Sequence, residues 1–289
     1  MLVLTNPRAE RVRSVRALSG RSSRVRTGLF VVEGPQGVRE AVREVPERIH
    51  DLYVTASATA RYPEILRTAH ANGVRVHEAS DEVLAAMSGD AQGVLAVVGA
   101  ADPSLAGALD NRPRLVAILA RVRDPGNAGA VIRAADAAGA DVVVLTSESV
   151  DLYNPKVVRA TAGSLFHLPV VTGVSLEECI AAVRGAGLRV LAADGGGDLD
   201  LDDLLDVAGG AGAATVPDLA RPTAWVFGNE AWGLSEGERA LADDVVRVPI
   251  HGRAESLNLA TAATVCLYAS ARAHRSTPRS SAGAPNGRH

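Results

Sequence analysis

Aromatic rings are scarce in this chain. Phe, Tyr and Trp make up 3% of it, and Trp225 and Trp232 are the only tryptophans. A surface that stacks several bases on several rings is therefore not expected. Cysteine is equally sparse: Cys179 and Cys266 stand far apart in apolar helical contexts. They make neither a disulfide framework nor a zinc spacing, and are expected as core thiols. No apolar run is long enough to span a bilayer, and no signal-peptide pattern is seen, so a cytoplasmic protein with no membrane partner is expected. A net charge of −3 supplies no global basic field. Lysine occurs once, as Lys156.

What is present is a chain of 289 residues, 47% hydrophobic and 22% charged. That is enough for one large packed domain or two modest ones. Its charge is uneven. Between Met1 and Thr27, Arg8, Arg11, Arg13, Arg16, Arg21, Arg24 and Arg26 face a single acid, Glu10. The block reads either as a basic N-terminal arm that contacts phosphates, residues 1–27, or as a solvated helix face in an arginine-rich chain. From 28 to 99, short apolar runs alternate with helical stretches, as in a small α/β unit. Residues 100–113 contain Pro103, Gly107 and Pro113 and read as a linker. Continuously apolar runs then appear at Leu115–Ala120, Val142–Leu145, Leu188–Ala193, Ala224–Phe227 and Val245–Val248. Helical runs separate them, at about Ala128–Ala138, Pro155–Ala162, Leu176–Ala186, Glu236–Ala242 and Leu257–Ala273. This alternation predicts a mostly parallel sheet covered on both faces, over residues 114–273. The remainder, 274–289, is rich in Ser, Pro, Gly and Arg and is expected to be disordered.

Three segments of the second region combine residue types that chemistry uses. In Asp124-Pro-Gly-Asn-Ala-Gly-Ala-Val-Ile-Arg133, a turn leads into a helix, with Asn127 as its expected N-cap. Arg133 follows among small and apolar residues and needs an anionic partner, unless it is simply exposed. In Val226-Phe-Gly-Asn-Glu-Ala-Trp-Gly-Leu-Ser235, a strand runs into glycine at the edge where parallel sheets bind ligands. Glu230 points a carboxylate at that edge, and Ser235 is an expected helix cap. In Val248-Pro-Ile-His-Gly-Arg-Ala-Glu-Ser-Leu-Asn-Leu-Ala260, a polar loop enters an alanine-rich helix, with Ser256 as its expected cap and Asn258 in its first turn. Each segment alone also reads as an ordinary connection.

In order and spacing, the three segments resemble the signature motifs of the SpoU (TrmH-like) family of RNA ribose 2′-O-methyltransferases. Asn127/Arg133, Gly228–Ser235 and Pro249–Asn258 carry the resemblance, and Leu152–Arg159 and Ala162–Ser164 look like that family too. Phe30–Gly34 with Val38 and Ala41 is similar to the family's L30e-like substrate-binding domain, which points to the ribosomal branch and its antibiotic-resistance relatives. Ile250 stands where the family often has methionine, and His251 is a local variation.

The resemblance implies a trefoil-knotted α/β catalytic domain behind a small L30e-like α/β domain. It implies S-adenosylmethionine as cofactor, lined by Gly228, Val248, Ile250, Ser256, Leu257 and Asn258, and no metal. It also implies Arg133 as the key group, with Asn127, Glu230, Ser256 and Asn258 positioning it and the ribose. Guanidinium groups keep their protons in proteins, so Arg133 is expected to orient a phosphate and stabilise a developing alkoxide rather than act as base. The expected substrate is 23S ribosomal RNA, with transfer RNA as the alternative.

Two other classes compete. A dinucleotide-binding enzyme has only Val190–Gly197 in its favour. That stretch lacks the spaced glycines, is followed by Asp198, Asp200, Asp202 and Asp203, and reads as a loop. A non-catalytic RNA-binding protein is opposed by the complete set of polar motif residues. A homodimer is expected through Ala260, Ala263, Thr264, Leu267 and Ala271 on the last helix, although that face equally suits packing inside its own domain.

Overall fold

The computed structural model describes residues 3–210 and 216–276. The first unit is built from α1 (Glu10–Ala17), α2 (Arg21–Thr27), β1 (Leu29–Glu33), α3 (Pro35–Glu44), β2 (Ile49–Val54), α4 (Ala56–Arg61), α5 (Pro63–Ala71), β3 (Val76–Glu78), α6 (Asp81–Met87) and β4 (Val94–Gly99). Its sheet runs β1-β4-β2-β3, antiparallel except for the β2–β3 pair. Alternation along the strands gives it two apolar faces. Phe30, Val32, Leu52 and Val54 pack with α3 and α5, whereas Val31, Tyr53, Leu95 and Val97 pack with Val12, Val15 and Leu18 of the first helix and its end.

Residues 3–27 are therefore not a free arm. Val12, Val15 and Leu18 bury themselves against the sheet, and Leu4 pairs with the backbone at Glu78 and Ser80. Arg24 corrects the phosphate-contact expectation most clearly. Its side chain is 6% exposed, paired with Asp151 at 2.6 Å, and donates to the carbonyls of Leu18 and Ser19.

After α7 (Leu105–Leu109), which occupies part of the expected linker, come β5 (Leu115–Leu119), α8 (Pro125–Ala137), β6 (Val142–Leu145), α9 (Pro155–Ala160), β7 (Val170–Thr172), α10 (Leu176–Gly185), β8 (Arg189–Ala193), β9 (Leu199–Asp200), α11 (Leu201–Val207), β10 (Thr223–Phe227), α12 (Glu236–Leu241), β11 (Asp244–Arg247) and α13 (Leu259–Ser276). Their strands form one parallel sheet, ordered β7-β6-β5-β10-β8-β11-β9. Leu119, Trp225 and Phe227 bury one face beneath α8 and α13, and Val116, Ile118 and Val226 bury the other beneath α10. Both cysteines lie in these cores, and burial pushes the Cys179 thiol up to about 12. No helix of the described residues is long and apolar enough to cross a membrane.

The glycine stretch after β8 is a loop, as read, and Asp200 beyond it caps α11 by accepting from the Asp202 amide. Two local expectations are corrected. The face of α13 expected as a dimer seam lies largely inside its own domain, with Ala263 and Leu267 fully buried. That helix also continues to Ser276, and the rest of the expected tail, 277–289, lies outside the described residues.

The two units meet along residues 151–167. Tyr153 packs on Phe30 with ring centroids 4.4 Å apart, and Val158 enters the first unit's core. Arg159 pairs with Glu33 and Asp90, and His167 lies between Asp136 and Glu40. Beside this seam opens a cleft of about 560 Å³, walled by Arg16, Glu33 and Asp90 on one side and Lys156 and Arg159 on the other.

Candidate active site

Strand order places a crevice before any side chain is considered. The chain steps outward from β5 through β6 to β7 on one side, while β10, β8, β11 and β9 lie on the other. The switch therefore falls between β5 and β10, and open parallel sheets bind ligands beyond the carboxyl ends of strands at such a point. The loops leaving those two strands are 121–124 and 228–235.

They are laced together. Glu230 accepts from the backbone amides of Arg123 at 3.2 Å and Asp124 at 3.0 Å. Asn229 donates its side-chain amide to the Arg121 carbonyl at 2.8 Å. Glu230 therefore binds loop to loop and does not hold Arg133. Gly228 is required by packing, since a Cβ there would come within 2.4 Å of the Gly233 backbone. Sequence reasoning passed over Arg121. Its backbone is left-handed at φ 54°, its amide donates to the Thr146 hydroxyl oxygen, and its guanidinium reaches Glu238 at 2.6 Å. Burial raises the Glu238 pKa, but the Ser235 amide and hydroxyl and the Arg121 charge outweigh it and hold the carboxyl below its usual range.

The third segment joins through one bond: Asn258 donates to the Asn127 side-chain oxygen at 3.0 Å. Capping differs from expectation at both helices. Asp124, not Asn127, caps α8, because Pro125 takes the first helical position and leaves the Asp124 carboxylate facing the Asn127 amide at 2.7 Å. Asn258, not Ser256, accepts from the first turn of α13, at the Ala260 amide. Of the two side chains released from capping, Ser256 is exposed, and Asn127, half-buried, is engaged by Asn258. Ser235 caps α12 as expected, in a capping box with Glu238.

Arg133 stands apart. Six residues past Asn127, it lies about 9 Å further along α8. It is exposed, and among the described residues no carboxylate pairs with it. Ile250 and Leu257 are left exposed in the last loop. Backbone glycine, neutral amides and uncovered apolar side chains fit a methionine chain and an adenine, groups that carry no phosphate.

Residues 114–268 match the SpoU rRNA Methylase family, and residues 31–104 match the RNA 2′-O ribose methyltransferase substrate binding family. The chain belongs to the SpoU family. Similar relatives include the 23S rRNA (uridine(2479)-2′-O)-methyltransferase of Streptomyces viridochromogenes, 33% identical, with 88% of this chain and 86% of that one covered. Another is the 23S rRNA (guanosine(2553)-2′-O)-methyltransferase RlmP of Bacillus subtilis, 30% identical, with coverage of 93% and 98%. Among solved structures, the AdoMet-bound rRNA methyltransferase from Sinorhizobium meliloti superposes with a TM-score of 0.77 at 29% identity, covering 94% of this chain and 97% of that one. The SpoU methyltransferase AviRb of Streptomyces viridochromogenes, in complex with AdoMet, gives 0.76 at 32% identity, covering 93% and 100%.

Proposed function

We propose that this SpoU protein methylates a ribose 2′-hydroxyl of 23S ribosomal RNA in the cytoplasm, using S-adenosylmethionine. The observation that carries the reading is the joining of all three motif loops at the β5–β10 switch point, through Glu230, Asn229 and Asn258. The relatives' substrates support the choice of 23S RNA. S-adenosylmethionine supplies an electrophilic methyl group when bound, and Gly228, Val248, Ile250, Ser256, Leu257 and Asn258 would hold it.

The chain's own task is to present the hydroxyl in line and to stabilise the oxygen as its proton leaves. The Arg133 guanidinium, which no carboxylate pairs with among the described residues, is suited to bind the adjoining phosphate and the developing alkoxide. Asn127 and Asn258 orient the ribose, and Ser256 completes the polar wall. Exposed Arg8, Arg11, Arg13, Arg16, Arg21 and Arg26 would track RNA phosphates across the outer helical layer. The final segment, crossing the crevice before α13, would complete the family's knot.

A homodimer belongs to the same reading, though not through the face first expected. Arg133 lies on an outward stripe of α8 beside an outward stripe of α13 carrying Thr261, Val265, Tyr268 and Arg272. Tyr268 is 50% exposed. Pairing these stripes would cover Tyr268 and deliver Arg133 to a second copy's crevice.

Two measurements test the proposal. Arg133→Ala should lower single-turnover methyl transfer to unmethylated 23S RNA about 100-fold or more while calorimetric S-adenosylmethionine affinity holds. A near-normal rate would remove Arg133 from the site. Sedimentation equilibrium should report twice 29.8 kDa, and Tyr268→Glu should halve it. A fully active monomer would refute the dimer.

A further inference from the structure

The loop after β10 is held more tightly than a connection requires. The backbones of Asn229 and Gly233 exchange hydrogen bonds at 3.0 and 2.8 Å, closing a small turn. The Ala231 amide donates to the Asn229 side chain at 2.9 Å, and the Glu230 and Asn229 tethers fix the turn to the loop after β5. At the tip of this rigid turn stands Trp232, 53% exposed. A chain with so few rings buries Phe30, Tyr53, Trp225 and Phe227 completely, yet leaves this indole in water beside the crevice.

Arg123 supplies the second observation. Its guanidinium lies 5.5 Å from the Trp232 ring centroid, over the ring. Arg123 is exposed, and among the described residues no carboxylate pairs with it. The pair therefore presents a flat π surface with a cation at its back, on a backbone held by the hydrogen bonds above. An apolar protein partner would be poorly matched by the guanidinium. A nucleotide matches both parts: a base stacks on an indole face, and its phosphate meets the guanidinium.

We propose that Trp232 stacks a nucleobase of the RNA substrate, at or beside the nucleotide that is methylated, with Arg123 bracing the ring and contacting the adjoining phosphate. One ring on a rigid turn replaces the multi-ring platform that the composition disfavours. The proposal rests on the methyl-transfer reading, and its test separates the two. Wild-type protein must first methylate 23S RNA from cells lacking the gene; if it does not, the functional reading fails, whatever Trp232 does.

With that activity in hand, Trp232→Ala should raise KM for the RNA roughly 10-fold or more while kcat changes little. Trp232→Phe, which keeps a flat ring, should restore most of the loss. The same RNA should quench tryptophan emission in the wild type but not in Trp232→Phe, where only buried Trp225 remains. An unchanged KM in the alanine variant, or no quenching of the wild type, overturns the proposal. An alanine variant that loses activity by sedimenting as a monomer assigns the indole to a protein contact and also overturns it.

Discussion

Arg24 and Arg26 sit two residues apart on one short helix, yet they occupy different media. Arg26 is solvated, whereas Arg24 turns inward to Asp151 and two backbone carbonyls. Removing one partner of a buried ion pair strands the other charge, which costs about 3 kcal/mol or more. Arg24→Ala should therefore lower the unfolding free energy by about 3 kcal/mol in urea titration, while Arg26→Ala stays within about 0.5 kcal/mol. Equal effects would mean that Arg24 is not buried in solution. The same contrast bears on any test of RNA contacts. Deleting residues 1–27 would uncover Val31, Tyr53 and Leu95, so charge reversal at exposed arginines is the cleaner perturbation. At position 24 the sequence held no sign of burial, because the deciding carboxylate lies 127 residues away.

Among the elements, the long central strands and their covering helices were readable from apolar runs, because each is buried on both faces. The short edge strands β7 and β9 were not: three and two residues carry no period, and their pairing is set by the register of the neighbouring strand. The starts of α8 and α13 were misplaced for a related reason, whereas α9, α10 and α12 begin at Pro155, Leu176 and Glu236 as expected. Asp124 and Asn127, like Ser256 and Asn258, are rival acceptors within one turn, and tertiary contacts decide between them. The site itself was legible as three motifs but not as a geometry. Ala128, Gly129 and Ala130 give α8 a small-residue surface, but the sequence does not reveal what packs against it. The answer is α9: a Cβ on Gly129 would lie 2.5 Å from the Ala160 Cβ and 2.6 Å from the Val157 carbonyl. That crossing sets where residues 151–167 stand, and so where the first unit docks. The stretch had looked family-like with no role attached.

At the scale of the whole molecule, the seam between the two units is substantially ionic. His167, next to Asp136 of its own unit and Glu40 of the other, is the histidine in it. Burial lowers the imidazole pKa, but hydrogen bonds and charge from Asp136 and Glu40 outweigh burial and raise it. A raised folded value means that the stabilisation is complete below the unfolded value of about 6.5 and is lost as pH rises through the folded one. The gap in thermal midpoint between wild type and His167→Gln should therefore be widest on the acid side of about pH 6.5 and close as pH rises. A gap independent of pH would show that the imidazole carries no charge at the seam. The cleft beside it has one more consequence. Lys156, on its wall, is the chain's only lysine and is exposed. Apart from an N-terminal amine, the sequence thus offers a single primary amine, placed beside the seam between the two units. An amine-directed dye would label that one spot without any substitution, and its colour and brightness would report whether RNA reaches the cleft.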